Sequence, residues 1–268
     1  MDLKNMGAGW EALPPMSVGR EKFGITYADG KLYAVGGTSW PPGWDISEAK
    51  DVLRSAEFLE LRNVGAGWKQ LPQMNTPRYG VGLVHADGKL FAIGGSLDSK
   101  DSYPTLRSVE FLDLKNVDAG WKEFPPLMEA MYGDGVAHVD GKLFVLSGKL
   151  RRNREDENHR CECLDLNDVN AGWKQLPLRW KSVKRASVIT GDGKLLAIWD
   201  FDGNPRAVGE LDLKNIGAGW ENLTRLTPME GFRKPWDSVV YADGNLFLFG
   251  GILDFSSPGS VECMRVSM

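Results

Sequence analysis

The sequence predicts an all-β protein built from one four-stranded sheet unit repeated five times. Three observations carry this. A phrase of the type L-D-L-K-N-x-x-A-G-W recurs at 1–10, 59–68, 112–121, 164–173 and 211–220. A second phrase, D-G-[KN]-L, follows each of these five phrases, at Asp29-Gly30, Asp87-Gly88, Asp140-Gly141, Asp192-Gly193 and Asp243-Gly244. The composition is rich in Gly (32) and Trp (10). Glycine in that quantity serves turns and short strands, and a regularly spaced tryptophan needs a repeated packing position.

Each unit reads as four strands in order. Strand A is typified by RYGVGLVHA (78–86). The Asp-Gly pair then supplies the positive φ of a two-residue hairpin. Strand B, KLFAIGG (89–95), is apolar and buried, and in three units it ends on Gly-Gly. Strand C, RSVEFLDLKN (107–116), alternates with period two. The Ala-Gly turn leads to strand D, WKEFPPL (121–127), whose prolines suit an outer edge. No helix of ordinary length is expected; 46–52 has the composition for one helical turn. Each tryptophan is expected to pack between neighbouring sheets, burying up to ~250 Å² of ring.

Composition narrows the function classes. Apolar residues are 42% and charged residues 25%, as in folded soluble domains. Net charge is −4, which argues against a phosphate-backbone binder. No apolar run approaches the ~18 residues of a membrane span, and the first residues lack a secretory signal. Three cysteines are too few for a disulfide scaffold, so a cytoplasmic, reducing location is expected.

The string Arg…Asp-Gly-Lys-Leu-Tyr-Ala-Val-Gly-Gly…Val-Glu-x-x-Asp-Leu…Trp-x-x-Leu-Pro-x-Met resembles the Kelch repeat, and the resemblance covers essentially the whole chain. It implies a β-propeller in which each unit is one radial blade of four antiparallel strands. With five units the expectation is a single five-bladed Kelch propeller, with blades at about 17–74, 75–127, 128–179, 180–229 and 230–268 plus 1–16. The chain starts and stops at equivalent repeat positions, so the N-terminal strand (Trp10–Met16) is expected to complete the last blade. A fragment of a longer Kelch array is the alternative.

Blade geometry puts the A–B and C–D turns on one face and the B–C and D–A loops on the other. The first set is nearly identical from unit to unit. The B–C loops differ sharply: 38–52, 96–105, 149–158, 201–207 and 252–259 share no pattern. A scaffold repeats and a recognition surface varies, so the binding surface is assigned to the B–C/D–A face. Nine residues before each Asp-Gly aspartate stand Arg20, Arg78, Met131, Val183 and Lys234; two further on stand Lys22, Gly80, Gly133, Arg185 and Trp236. The channel rim is thus expected to present Arg20, Lys22, Arg78, Arg185 and Lys234, with Tyr132 and Trp236 nearby, to a protein or an acidic peptide. Arginine offers a two-pronged fork for carboxylate. The resemblance implies the same use for Arg20 and Arg78, as in Kelch adaptors of cullin ubiquitin ligases, and Arg185 holds the second position used by such domains. Trp40 and Trp44, on the longest loop, are candidate interface anchors.

Catalytic chemistry is thin. His159, Cys161 and Cys163 share one side of a strand, but the cysteines align with the core positions Val109 and Phe111 and read as small buried hydrophobes. The copper and iron constellations of Kelch-type enzymes are absent, and Glu21, Asp134 and Asp237 are the only acids on the inward strands. No cofactor, metal, nucleic acid or membrane is expected, and a monomer is. The alternative to a binding scaffold is a small sugar-processing enzyme with paired carboxylates in the channel.

Overall fold

The computed structural model describes residues 12–39, 51–98, 105–133, 135–147, 160–177, 186–191, 194–201, 204–225, 238–242, 245–249 and 261–265. The first sheet holds β1 (Gly24–Ala28), β2 (Lys31–Val35), β5 (Ala56–Glu60) and β6 (Lys69–Leu71). A two-residue ladder, β3 (Thr38–Ser39) with β4 (Asp51–Val52), stands at the base of its B–C loop. The expected helical turn at 46–52 is therefore a strand at its described end. The second sheet holds β7 (Gly82–Ala86), β8 (Lys89–Ile93), β9 (Val109–Asp113) and β10 (Lys122–Phe124). The third holds β11 (Gly135–Val139), β12 (Lys142–Ser147), β13 (Arg160–Asp165) and β14 (Lys174–Leu176). The fourth holds β15 (Ala186–Gly191), β16 (Lys194–Phe201), β17 (Asn204–Asp212) and β18 (Glu221–Arg225). The fifth has three strands among the described residues, β19 (Ser238–Ala242), β20 (Asn245–Phe249) and β21 (Val261–Arg265). All neighbouring strands are antiparallel. The inner strands β1, β7, β11, β15 and β19 lie side by side in series.

The repeated phrases explain this geometry. Asp29, Asp87 and Asp140 have φ of 49°, 48° and 49°, and the glycines after them 76°, 71° and 69°. Two successive positive φ values make the mirror-image turn whose twist matches the strands. The N-x-x-A-G stretch forms a short 3-10 turn, as at Val117–Ala119 and Val169–Ala171, and ends on a glycine with φ near +68°. The backbone N–H groups of Leu61, Leu114 and Leu166 donate to the carbonyls of Gly30, Gly88 and Gly141, tying the C–D turn to the A–B turn at one end of each sheet.

The core is divided among the gaps between sheets. One cluster joins Tyr33 and Val35 of the first sheet to Leu83, Leu90, Leu112 and Trp121 of the second. Another joins Phe91, Ile93 and Val109 to Leu143, Val145 and Trp173. A third joins Phe144, Leu146 and Cys161 to Leu195, Leu211 and Trp220. Sheets covered on both faces have little polar alternation, which is why the B strands are runs of apolar residues. Each gap takes one tryptophan from the later sheet. Trp121 and Trp173 donate Nε1–H to the carbonyls of Pro72 and Pro125, each at 2.9 Å. Those prolines end the outer strands of the preceding sheets, so the indole binds one sheet to the next. Trp68 is half-buried and Trp10 lies outside the described residues.

Two expectations change. Strand A was expected over 78–86, but the regular strand starts at Gly82. Residues 78–81 belong instead to the joint between sheets: Tyr79 bridges Ser96, and Gly80, at φ +63°, donates its N–H to the carbonyl of Lys22. The B–C segment 201–207 was expected as a loop. There β16 and β17 run on to Phe201 and Asn204, which pair with each other, leaving only Asp202-Gly203 between them. The expected N-terminal strand lies partly outside the described residues. Its described part, 12–16, is not in a sheet, yet Trp68 donates to the carbonyl of Pro14 at 2.9 Å, as Trp121 does to Pro72.

Candidate functional site

The candidate site is the end of the sheets where strand B runs into the B–C loop and the D–A crossover enters strand A. Its chemistry is set by a cation and a carboxylate in the first two sheets. Arg78 leaves the crossover and turns inward. Its Nη1 donates to the carbonyls of Gly94 and Ser108, each at 2.8 Å. Its Nη2 donates to Ser108 Oγ at 2.9 Å and Glu110 Oε1 at 2.9 Å. Glu110 also accepts from the backbone N–H groups of Asn75 and Thr76. Arg20 repeats the pattern in the first sheet, with Nε on Glu57 Oε1 at 2.9 Å, Nη1 on the carbonyls of Gly36 and Ser55, and Nη2 on Ser55 Oγ. Glu57 accepts from the backbone N–H of Ser17.

These side chains are buried. Arg20 and Glu57 are 0% exposed, and Arg78 and Glu110 are 0% and 2%. Burial pulls the Arg78 pKa down from its usual value, and Glu110 pulls the other way. The pair binds the ends of strands B and C to the incoming crossover, so it locks one sheet to the chain arriving from the previous one. The Nη donors of Arg78 are thus already directed at the protein. The structure therefore places Arg20 and Arg78 together with carboxylates of their own sheets, away from solvent.

The third sheet rearranges the same parts. Met131 stands where Arg78 stands, fully buried. Glu162 keeps its place, 1% exposed, and accepts from the N–H groups of Met128 and Glu129 at 2.8 and 3.1 Å. The cation moves to Arg160, which occupies the position of Ser108 and reaches Glu129 at 3.4 Å. Burial raises the Glu162 pKa; the N–H groups of Met128 and Glu129, then the Arg160 charge, pull it down, and Glu129 adds to the rise. A raised acid is penalised in its charged form, so this cost is felt above the raised pKa and vanishes below the unfolded value. Arg160→Ser is therefore expected to destabilise the fold at pH 7 and to have much less effect near pH 4, where Glu162 is protonated. Urea unfolding of the variant and wild type at both pH values checks this.

The remaining expected site residues divide into described and undescribed. Lys22 is partly buried at φ +53°, with its carbonyl held by Gly80. Tyr132 is partly buried; its ring lies edge-on to Tyr79 and occupies the space a Cβ on Gly80 would need, 2.7 Å away. Lys22 and Tyr132 thus sit at successive joints between neighbouring sheets. Trp40, Trp44, Arg185, Lys234 and Trp236 lie outside the described residues.

Sequence reasoning missed Ser55, Glu57, Ser108 and Glu110. The signal was present as joint variation. The first two sheets pair Arg with Ser and Glu; by sequence the fifth pairs Lys234 with Ser260 and Glu262. The fourth loses all three at once, with Val183, Ala207 and Gly209. Cys161 and Cys163 lie in the core, as expected of small hydrophobes, and burial pushes the Cys161 thiol up to about 12. Trp220 lies in the same core cluster as that thiol. Among the described residues no helix is long and apolar enough to cross a membrane.

No family model matches the chain. Among curated proteins it is similar to Kelch-like protein 40 of Xenopus tropicalis, 27% identical over 225 residues, 83% of this chain and 34% of that protein. It is similar to Kelch-like protein 40a of Danio rerio, 30% identical over 126 residues, 47% of this chain and 19% of that protein. Kelch repeat protein C2 of vaccinia virus is 23% identical over 145 residues, 54% of this chain and 25% of that protein. The chain spans about a third or less of the length of these relatives. The similarities support a Kelch-repeat family.

Proposed function

We propose that this Kelch-repeat chain is a protein- or peptide-binding scaffold that works through its B–C/D–A loop face. The observation that carries the reading is a contrast within one chain. The A–B and C–D turns are near copies of one another, while the B–C segments range from a long loop on a two-residue ladder (38–52) to a tight hairpin (201–204). Repetition at one end builds the scaffold, and variety at the other suits recognition. The Kelch relatives favour a protein-interaction scaffold in general.

The contact set is Trp40 and Trp44 as aromatic anchors, Arg185, Lys234 and Trp236 on the rim, and Lys22 and Tyr132 beside them. Arg20 and Arg78 support this rim from inside. An acidic peptide is the partner class that Lys22, Arg185 and Lys234 suit. The scaffold is a monomeric, cytoplasmic five-bladed propeller whose fifth sheet takes residues 10–16 as its outer strand. Support for that closure comes from Pro14, seated against Trp68 as Pro72 is against Trp121.

Affinity capture with wild type and with a Trp40→Ala/Trp44→Ala/Arg185→Glu/Lys234→Glu variant tests the reading. Partners held by wild type should be lost from the variant while its melting temperature is kept. Equal recovery of every partner would reject this face.

A further inference from the structure

Among the described residues four non-glycines have positive φ: Lys22, Asp29, Asp87 and Asp140. The three aspartates open the Asp-Gly turns, and aspartate tolerates this region because its short polar side chain bonds locally. Lys22, at φ +53°, has no such compensation. In the left-handed region a Cβ crowds the following carbonyl oxygen, and only glycine avoids that contact altogether.

The backbone of the joint imposes this conformation. Glu21 and Thr38 exchange two N–H···O bonds of 2.9 Å where strand B runs into its loop, and the next residue turns left-handed. The turn aims the Lys22 carbonyl at the second sheet, where it accepts the Gly80 N–H at 2.9 Å. The second sheet repeats the arrangement with the residue the geometry favours. Tyr79 bridges Ser96, Gly80 follows at φ +63°, and the Gly80 carbonyl accepts the Gly133 N–H at 2.9 Å. A Cβ on Gly80 would lie 2.7 Å from the Tyr132 ring. Glycine thus does all that the backbone asks at this place, and the joint between the second and third sheets forms with no side chain there. The first sheet holds lysine instead. By sequence the fourth and fifth units also hold large side chains at the equivalent position, Arg185 and Trp236.

A left-handed non-glycine persists where its side chain serves a purpose that outweighs the strain. We infer that Lys22 is a specificity-determining residue of the loop face, kept at a cost to the fold because its ammonium pairs with a carboxylate of an acidic peptide. The inference rests on the acidic-peptide reading above, and it adds that affinity and stability oppose each other at this one residue. Arg20, two residues earlier, is unsuited to the task, because its donors are directed at Glu57, Gly36 and Ser55. An ammonium on a four-carbon stem can follow a carboxylate while its own backbone stays fixed by Gly80.

Three substitutions in the full chain separate charge from strain. Lys22→Gly removes both, Lys22→Met removes the charge and keeps the strain, and Lys22→Arg keeps both. Melting temperature and the binding of a fluorescein-labelled hexaglutamate peptide, followed by anisotropy at low ionic strength, are measured for each. Lys22→Gly should raise the melting temperature by about 2–4 °C, while Lys22→Met leaves it near the wild-type value. Both should weaken hexaglutamate binding by about three- to fivefold, the effect of one water-screened ion pair, and Lys22→Arg should keep it. A melting temperature lowered by Lys22→Gly would overturn the inference, since the lysine would then serve the joint. Equal binding by wild type, Lys22→Gly and Lys22→Met would overturn it while leaving the acidic-peptide reading in place. Absence of hexaglutamate binding by wild type would reject that reading and the inference together.

Discussion

Arg78→Met should unfold the protein far more readily than a change at a rim contact would. The guanidinium is 0% exposed and makes four hydrogen bonds, one of them to Glu110. Removing one partner of a buried pair leaves the other charged and uncompensated, which costs about 3–5 kcal/mol. The carbonyls of Gly94 and Ser108 lose donors as well. At roughly 2–4 °C per kcal/mol for a chain of this size, the melting temperature should fall on the order of 10 °C. Arg78→Met/Glu110→Leu should recover part of the loss, because the stranded charge is gone; the N–H groups of Asn75 and Thr76 still lose their acceptor. Calorimetry of the single and double variants checks both. An unchanged melting temperature in Arg78→Met would mean that this arginine serves a ligand and not the joint.

Trp121→Ala should cost a similar amount by another route. The indole is 5% exposed and fills the gap between the first and second sheets with Leu83, Leu90 and Leu112. Truncation removes the ring from that cluster and leaves a cavity bordered by two sheets, worth about 3–5 kcal/mol. It also strips the Pro72 carbonyl of its donor. Trp121→Phe keeps much of the volume and loses the hydrogen bond, about 1 kcal/mol. The order Ala well below Phe, with Phe just below wild type, should appear in urea midpoints. If Ala and Phe were equal, the hydrogen bond rather than the packing would hold the gap.

Features governed by local rules were legible in the sequence. The Asp-Gly turns fix φ at two adjacent residues, and a regularly spaced tryptophan, with proline four residues later in four of the five repeats, marks one packing position per sheet. Sheets, strand order and buried strands follow from these. What was not legible came from contacts between distant residues. Arg20 and Arg78 look like surface cations by type, and nothing local says that Glu57 and Glu110, over thirty residues away, draw them inside. The value of a Gly-Gly end is likewise visible only when Arg78 and Met131 of the next sheet are seen against it. Segment 201–207 contains Asp-Gly, the strongest short hairpin signal, yet its place in a variable loop series hid it. Two of the expected rim cations, Arg20 and Arg78, are held instead by carboxylates of their own sheets.

The most direct test of a ring joined by its own N-terminal segment is the melting temperature of the chain without residues 1–16. Removal takes away the Pro14 carbonyl that holds Trp68 and uncovers the outer side of the first sheet. The account predicts a cooperative transition lowered by many degrees, restored when a peptide of residues 1–16 is added in excess. A transition at the wild-type temperature, insensitive to the peptide, would contradict it.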